Sequence, residues 1–317
     1  FTIFYSIQED KVSLHGLRQV IFPGFTSILK GNPFAFGINV SDRCPIGCDC
    51  YWRASARVDE MKEEEMIDFM LEKRNAGYVV CFLIGGEPYV RPKLLQKIAG
   101  IIPVNILVTS GTTPLLSLPK TLHFISVDGK DTETHDKVRQ SKGLFQRIIR
   151  NLENARKEKF PAYIHTVLNS LNYTEIGDIL KFWERNGLVD GLIVSTITPV
   201  IGQSSKLDLT IEQRERVVED LLGLKDKYPR FLRNTRRMIQ LLHPDHTKDM
   251  TPAKCQNAEY FPAFDASGKK IPKCIFGPKA DCSSCGCIVT SYADSLVTWS
   301  GFISAVGFGN QLASISG

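Results

Sequence analysis

Between residues 33 and 200 the chain repeats one pattern: a short apolar run, a glycine or polar break, then an amphipathic stretch. Phe34–Val40, Tyr78–Ile84, Val104–Thr109, Leu122–Val127, Ala162–Val167 and Gly191–Thr196 are near-continuous apolar runs, the pattern of strands buried on both faces of a sheet. Helical periodicity fills most of the gaps, over Lys62–Ala76 with Gly77 as its stop, Pro92–Gly100, Leu144–Lys159 and Tyr173–Asn186. The link after Val104–Thr109 is short and helix-poor. Consecutive βα units predict a parallel sheet with right-handed crossovers. Six are too few to close an eight-stranded barrel. The expected fold is therefore α/β, an open or partial (β/α)6 barrel over residues 33–245, with two more helical segments at Thr210–Lys227 and Pro229–Leu242.

The two ends differ from this body. Residues 1–32 form a helical lead-in interrupted by Pro23 and Gly24, expected either to pack on the main domain or to lie on a membrane surface. After Pro252 cysteine, proline, glycine and lysine dominate with little periodicity, so residues 250–317 are expected to form a small cysteine-rich domain organised by metal rather than by an apolar core. The apolar tail Leu296–Gly317 is broken by Gly301, Gly307, Gly309 and Asn310 and falls short of a spanning segment. A net charge of +5 spread over mixed signs argues against a nucleic-acid partner.

The chain has nine cysteines in 317 residues, and eight of them fall in two knots. An odd count so distributed is a poor disulfide framework; thiolates held on metal in a reducing cytoplasm read better. In the first knot, Cys44, Cys48 and Cys50 follow the first strand directly, with Pro45 and Gly47 wrapping the loop. Three thiolates leave one position open on a four-iron cluster or on a tetrahedral zinc. No histidine lies nearby to complete a zinc site, which favours the cluster. Gly85-Gly86-Glu87-Pro88 ends the second strand, where two glycines permit close approach to the backbone and Glu87 offers a carboxylate suited to an ammonium group. Thr109, Ser126 and Asp128, Asn169, and Ser195 with Thr196 stand at later strand ends, where ligands of parallel sheets bind. Arg139 follows on a short helix as a partner for a carboxylate or as an exposed helix charge. Cys81, inside an apolar strand, reads as an inert core thiol.

The three-cysteine loop and the Gly-Gly-Glu-Pro strand end together resemble the radical S-adenosylmethionine (SAM) superfamily over residues 34–245. The resemblance implies a [4Fe-4S] cluster on Cys44, Cys48 and Cys50 with SAM chelating its open iron, and SAM contacts from Gly85, Gly86, Glu87, Pro88, Thr109, Ser126, Asp128, Arg139, Asn169 and Thr196. The chain departs from the family's C-x3-C-x2-C: here the spacing is C-x3-C-x-C, with Cys50 before Tyr51. One residue fewer moves the third thiolate's origin by about 3.5 Å, and leaves Tyr51 or Trp52 as the ring to meet the adenine.

The second knot, Cys255, Cys274, Cys282, Cys285 and Cys287, resembles the SPASM/twitch extensions of the same superfamily, with a turn at Ser267-Gly268 bringing Cys255 and Cys274 together. It implies one auxiliary iron–sulfur cluster; a rubredoxin-like mononuclear iron or zinc site is the alternative. The implied activity is reductive SAM cleavage and C–H activation, fed by an external flavodoxin- or ferredoxin-like one-electron donor. The substrate reads as a long-chain lipid or isoprenoid, with C–C bond formation and peripheral membrane contact. Peptide crosslinking of the SPASM type and a non-enzymatic iron–sulfur or zinc protein are the other readings. No catalytic side chain is singled out.

Overall fold

The computed structural model describes residues 35–48, 58–203 and 205–291. Six parallel strands run in sequence order: β1 Ala35–Ser41, β2 Val80–Gly85, β3 Val104–Thr109, β4 Thr121–Ser126, β5 Ala162–Leu168 and β6 Leu192–Thr196. These are the six expected strands, each within two residues of its predicted bounds. Every residue of β1, β4 and β6 is buried, which explains their unbroken apolar character.

Helices cover the outer face. α1 (Glu63–Asn75) opens on three glutamates and closes on Lys73 and Arg74, so its charges oppose the helix dipole at both ends. It buries Met66 and Met70. α2 (Pro92–Ile98), α3 (Thr132–Arg139), α4 (Leu144–Lys157) and α5 (Ile176–Asn186) follow. Asp131 caps α3 by accepting from the Thr134 N–H at 3.0 Å. The residues predicted to begin α5, Tyr173–Glu175, form a 3-10 turn instead. α6 (Ile211–Lys227) starts at a capping box between Thr210 and Gln213.

Two features differ from expectation. Pro229–Leu242 is not one helix: only α7 (Arg236–Gln240) is helical. The preceding residues lie along the open edge of β6, with the Leu192 N–H donating to Phe231 O and the Arg233 N–H to Leu192 O, both at 2.8 Å. The Asn234 side-chain amide then bonds both backbone groups of Val194, at 2.8 and 2.9 Å. Apolar periodicity had suggested a helix, but the unpaired edge of β6 takes this segment. Second, the C-terminal hairpin, β7 (Ala263–Phe264) and β8 (Lys270–Ile271), is joined to the main sheet, since β7 pairs with β1 in parallel. The eight-stranded order is β6-β5-β4-β3-β2-β1-β7-β8. The predicted turn is present, with Gly268 at φ +80.

The lead-in 1–32, Cys50, Tyr51 and the tail from Leu296 lie outside the described residues. Among the described residues no helix is long and apolar enough to cross a membrane.

Candidate functional site

The carboxyl ends of the strands surround a cavity of about 1090 Å³. Cys44, Cys48, Gly85 and Gly86 line it on one side; Ser126, Asp128, Arg139, His165, Asn169, Ser195 and Thr196 line it on the other. Cys287 also reaches it. Thus side chains predicted from separate strands share one space.

The two glycines owe their places to a backbone. Gly86 N–H donates to Ser41 O at 2.7 Å and Glu87 N–H to Arg43 O at 2.8 Å. A Cβ on Gly85, whose φ is +125, would sit 2.5 Å from Ser41 O, and one on Gly86 would sit 2.4 Å from Arg43 O. The strand end therefore grips the entry of the cysteine loop. Glu60 fixes the other side of that neck: its carboxylate accepts from Ser41 Oγ at 2.6 Å, Asp42 N at 3.0 Å and Arg43 Nη2 at 3.1 Å. Asp42 in turn accepts from the Val58 N–H at 3.2 Å. Burial would raise the Glu60 carboxyl, but the Ser41 hydroxyl and Arg43 hold it below its usual range. No residue type or spacing around Glu60 signalled this role in the sequence.

Glu87 is 0% exposed and is absent from the cavity wall. It accepts from Tyr89 N at 3.0 Å, Thr109 Oγ1 at 2.7 Å, Ser110 N at 2.7 Å and the Ser110 hydroxyl. The carboxylate expected to face a ligand ammonium is thus spent on tying β2 to β3, and it takes the Thr109 hydroxyl with it. Pro88 begins a buried 3-10 turn away from the cavity.

Asp128 organises the opposite wall. Its Oδ2 pairs with Arg139 Nε at 2.6 Å, and its Oδ1 accepts from the Val167 N–H at 2.8 Å. Arg139 is buried at the end of α3, not exposed at its start. The Asn169 side chain is engaged by its own turn, donating to Val167 O at 3.1 Å and accepting from the Leu171 N–H at 3.0 Å. His165, which sequence reasoning passed over because β5 reads as an apolar strand, faces the cavity and holds Ser195 Oγ at 2.8 Å.

The C-terminal cysteine segment is fastened along the end of β6. Thr196 N–H donates to Gly286 O at 3.0 Å, Gly286 N–H to Thr198 Oγ1 at 2.9 Å, and Asp281 N–H to Pro199 O at 3.0 Å. A Cβ on Gly286 would lie 2.1 Å from Thr196 O. The buried Arg214 of α6 adds a bond to Cys285 O at 3.0 Å.

The donor set fits metal-bound sulfur. Backbone N–H groups point at sulfur two or three residues upstream: Ile46 at Cys44, Asn257 and Ala258 at Cys255, Phe276 at Cys274, Cys287 at Cys285, and Val289 and Thr290 at Cys287. Such bonds favour a thiolate. Burial opposes them, pushing Cys44 up to about 11 and Cys274 up to about 12, so either sulfur would lose its proton only with a bound cation beside it. Among the described residues no three Cys, His, Asp or Glu side chains are grouped as a single-ion site.

Residues 38–182 match the model of the radical SAM superfamily. Among curated proteins, the AdoMet-dependent heme synthase of Methanosarcina barkeri is 27% identical over 146 residues, 43% of this chain and 42% of that protein. The Fe-coproporphyrin III synthase of the same organism is 26% identical over 200 residues, 58% of this chain and 49% of that protein. The chain therefore spans less than half the length of these relatives. Among solved structures, Streptococcus suis SuiB bound to S-adenosylmethionine superposes with a TM-score of 0.61 at 14% identity, covering 77% of this chain and 60% of SuiB. Native anSMEcpe with bound AdoMet gives 0.61 at 16% identity, covering 86% and 83%. At those identities the likeness to the solved structures is one of fold. Sequence match, sheet order and the gripped cysteine-loop entry agree: this chain carries a radical SAM domain across residues 38–182.

Proposed function

We propose that this chain is an enzyme that holds an iron–sulfur cluster on Cys44, Cys48 and Cys50, binds SAM beside it, and abstracts hydrogen from an unactivated C–H bond of an apolar substrate. The observation that carries this reading is the shared cavity, in which Cys44 and Cys48 face the polar ends of β4, β5 and β6. When bound there, the cluster supplies the electron that splits SAM into methionine and a 5′-deoxyadenosyl radical. The work left to the chain is positional. Gly86 and the Ser41–Arg43 backbone set the cysteine loop against the cavity. Arg139, held by Asp128, presents its guanidinium to a carboxylate. Ile46, Phe82, Ile84, Val108, Phe261 and Phe276 keep water from the reacting carbon. The electron comes from an external flavodoxin- or ferredoxin-like donor.

At about 1090 Å³ the cavity exceeds what a single drug-sized ligand needs, leaving room for SAM and a second molecule. Its apolar wall supports a long-chain lipid or isoprenoid substrate, with C–C bond formation as the outcome. A second reading, a tetrapyrrole substrate, is supported by the two curated relatives, whose names are heme synthase and Fe-coproporphyrin III synthase. Mass spectrometry of molecules copurified with the protein separates them. One auxiliary cluster on Cys255, Cys274 and Cys282 with either or both of Cys285 and Cys287 completes the proposal, supported by the N–H groups aimed at Cys255, Cys274, Cys285 and Cys287.

The test is anaerobic. Reconstituted protein given SAM and a strong reductant releases 5′-deoxyadenosine, and Cys48→Ala abolishes the release. Equal release from wild type and variant overturns the reading. Retention of four irons in a Cys44/Cys48/Cys50 triple-alanine variant supports the auxiliary cluster; retention of one points to a mononuclear centre.

A further inference from the structure

Among the described residues, Arg214 of α6 is a buried cation with no carboxylate partner. It is 5% exposed. Its Nη2 donates to Cys285 O at 3.0 Å and to Leu242 O and Thr247 Oγ1 at 3.3 Å each. All three acceptors are neutral, and the buried Nε has no hydrogen-bond partner. The negative groups whose charge reaches the guanidinium are Cys285 first and then Asp281. The Asp281 carboxylate is occupied by its own turn, accepting from Ser283 N at 3.0 Å and from Ser283 Oγ at 2.6 Å. A guanidinium keeps its proton wherever it is buried, and a buried charge without a counter-charge strongly destabilises a fold.

What stands beside this cation is sulfur. Thr290 Oγ1 lies 3.9 Å from Cys285 Sγ and 4.0 Å from Cys255 Sγ, so the two sulfurs flank one hydroxyl. Cys274 and Cys282 lie within electrostatic reach of the same pair. Four thiolates on iron, whether in the proposed cluster or around a single ion, make a unit of net negative charge, and reduction adds one electron to it. Resting on that proposed auxiliary site, we infer that Arg214 is its built-in counter-charge: the guanidinium favours the reduced, more anionic state and so raises the reduction potential, and Cys285, whose carbonyl it holds, is one of the ligands. The low dielectric that makes the lone guanidinium costly also makes its attraction for the reduced centre strong. The electron comes from the external one-electron donor, and no bond is made or broken in the step.

The test is potentiometric, on the full chain with Cys44, Cys48 and Cys50 changed to alanine so that only the auxiliary site holds iron. Dithionite supplies the electron, and the midpoint potential is read from the absorbance and EPR spectra. Arg214→Gln keeps an N–H donor but removes the charge; Arg214→Lys keeps the charge. The expected result is that Arg214→Gln disfavours the reduced state about tenfold, a fall of about 59 mV for one electron. Arg214→Lys stays within about threefold of the parent, about 28 mV. A rise in Arg214→Gln, or a fall of less than about threefold, overturns the inference. So does a fall in Arg214→Lys as large as that in Arg214→Gln, which would mark loss of the bond to Cys285 O rather than loss of charge. If Arg214→Gln does not hold iron, Arg214→Lys decides: iron and potential like the parent's uphold the counter-charge, and loss of iron there too overturns it. A parent that holds no iron strikes the auxiliary site and this inference together, whereas iron in the parent with an unmoved potential in Arg214→Gln strikes this inference alone.

Discussion

His123 and His135 show what burial does to single residues in this molecule. His123 is 1% exposed, packed 5.1 Å from the Phe160 ring, and His135 is fully buried, accepting the Asp128 N–H at Nδ1. Burial lowers both to about 4, and the Arg139 guanidinium adds to the effect at His135. Between about 4 and the ordinary histidine value the unfolded chain takes up a proton that the folded chain refuses. Stability therefore rises with pH across that window and is lost as pH falls through it. From pH 7 to pH 5 each imidazole should cost about 2 kcal/mol. Urea midpoints at the two pH values should show the drop, and His135→Asn, which keeps an acceptor without a titrating ring, should narrow the gap. A gap unchanged in that variant would count against the assignment. Residues of this kind were the least legible in the sequence. The cysteines and the Gly-Gly-Glu-Pro run announced a site, yet the sequence could not say that Gly85 and Gly86 admit the chain's own backbone or that Glu87 faces inward to Thr109 and Ser110. Those facts depend on which strands become neighbours.

Among elements, the neck of the cysteine loop makes the sharpest claim. Its entry, Ser41–Arg43, and its exit, Val58–Glu60, meet through side chains rather than a ladder, with Glu60 accepting from Ser41, Asp42 and Arg43. Arg91 braces the same neck by donating to Val40 O at 3.1 Å and Met61 O at 2.8 Å. Removing the carboxylate in Glu60→Ala leaves the Asp42 N–H and the Arg43 guanidinium without their acceptor, a loss of about 1–3 kcal/mol locally. Hydrogen exchange at Asp42 and Val58 should quicken at least about tenfold, and iron in the reconstituted protein should pass to a chelator faster. Unaltered exchange at both amides would refute the neck's role. At this scale the strands were easy to read, because burial on both faces leaves an unmistakable apolar run. The error at Pro229–Leu242 had a physical cause: the segment's apolar residues serve the exposed edge of β6, where Asn234 imitates a strand, and periodicity does not distinguish those uses.

Across the whole molecule, the cavity is made by two distant parts of the chain. The cysteine loop and strand ends supply most of its wall, but Cys287, Ile288 and Val289 arrive from the far C-terminal side. They are held there by the segment from Lys279 to Gly286, which runs beside Thr196–Ile201: Ile201 N–H donates to Lys279 O at 2.8 Å, Asp281 N–H to Pro199 O at 3.0 Å and Thr196 N–H to Gly286 O at 3.0 Å. Gly286 sits at the tightest point, where a side chain would strike the Thr196 carbonyl and hydroxyl at 2.1 and 2.2 Å. Neither neighbour can yield cheaply, since Thr196 belongs to a fully buried strand. Gly286→Val should therefore lift the segment from β6 while leaving Cys44 and Cys48 in place. The expected signature is a split: iron content falls by the share of the proposed auxiliary cluster, Tm drops by several degrees for a loss of about 2 kcal/mol, and 5′-deoxyadenosine release without substrate persists. If iron and Tm both match the wild type, the segment is not the fastening that closes the cavity. If SAM cleavage disappears with them, the two cysteine knots are one cooperative unit, and the wall they share is the reason.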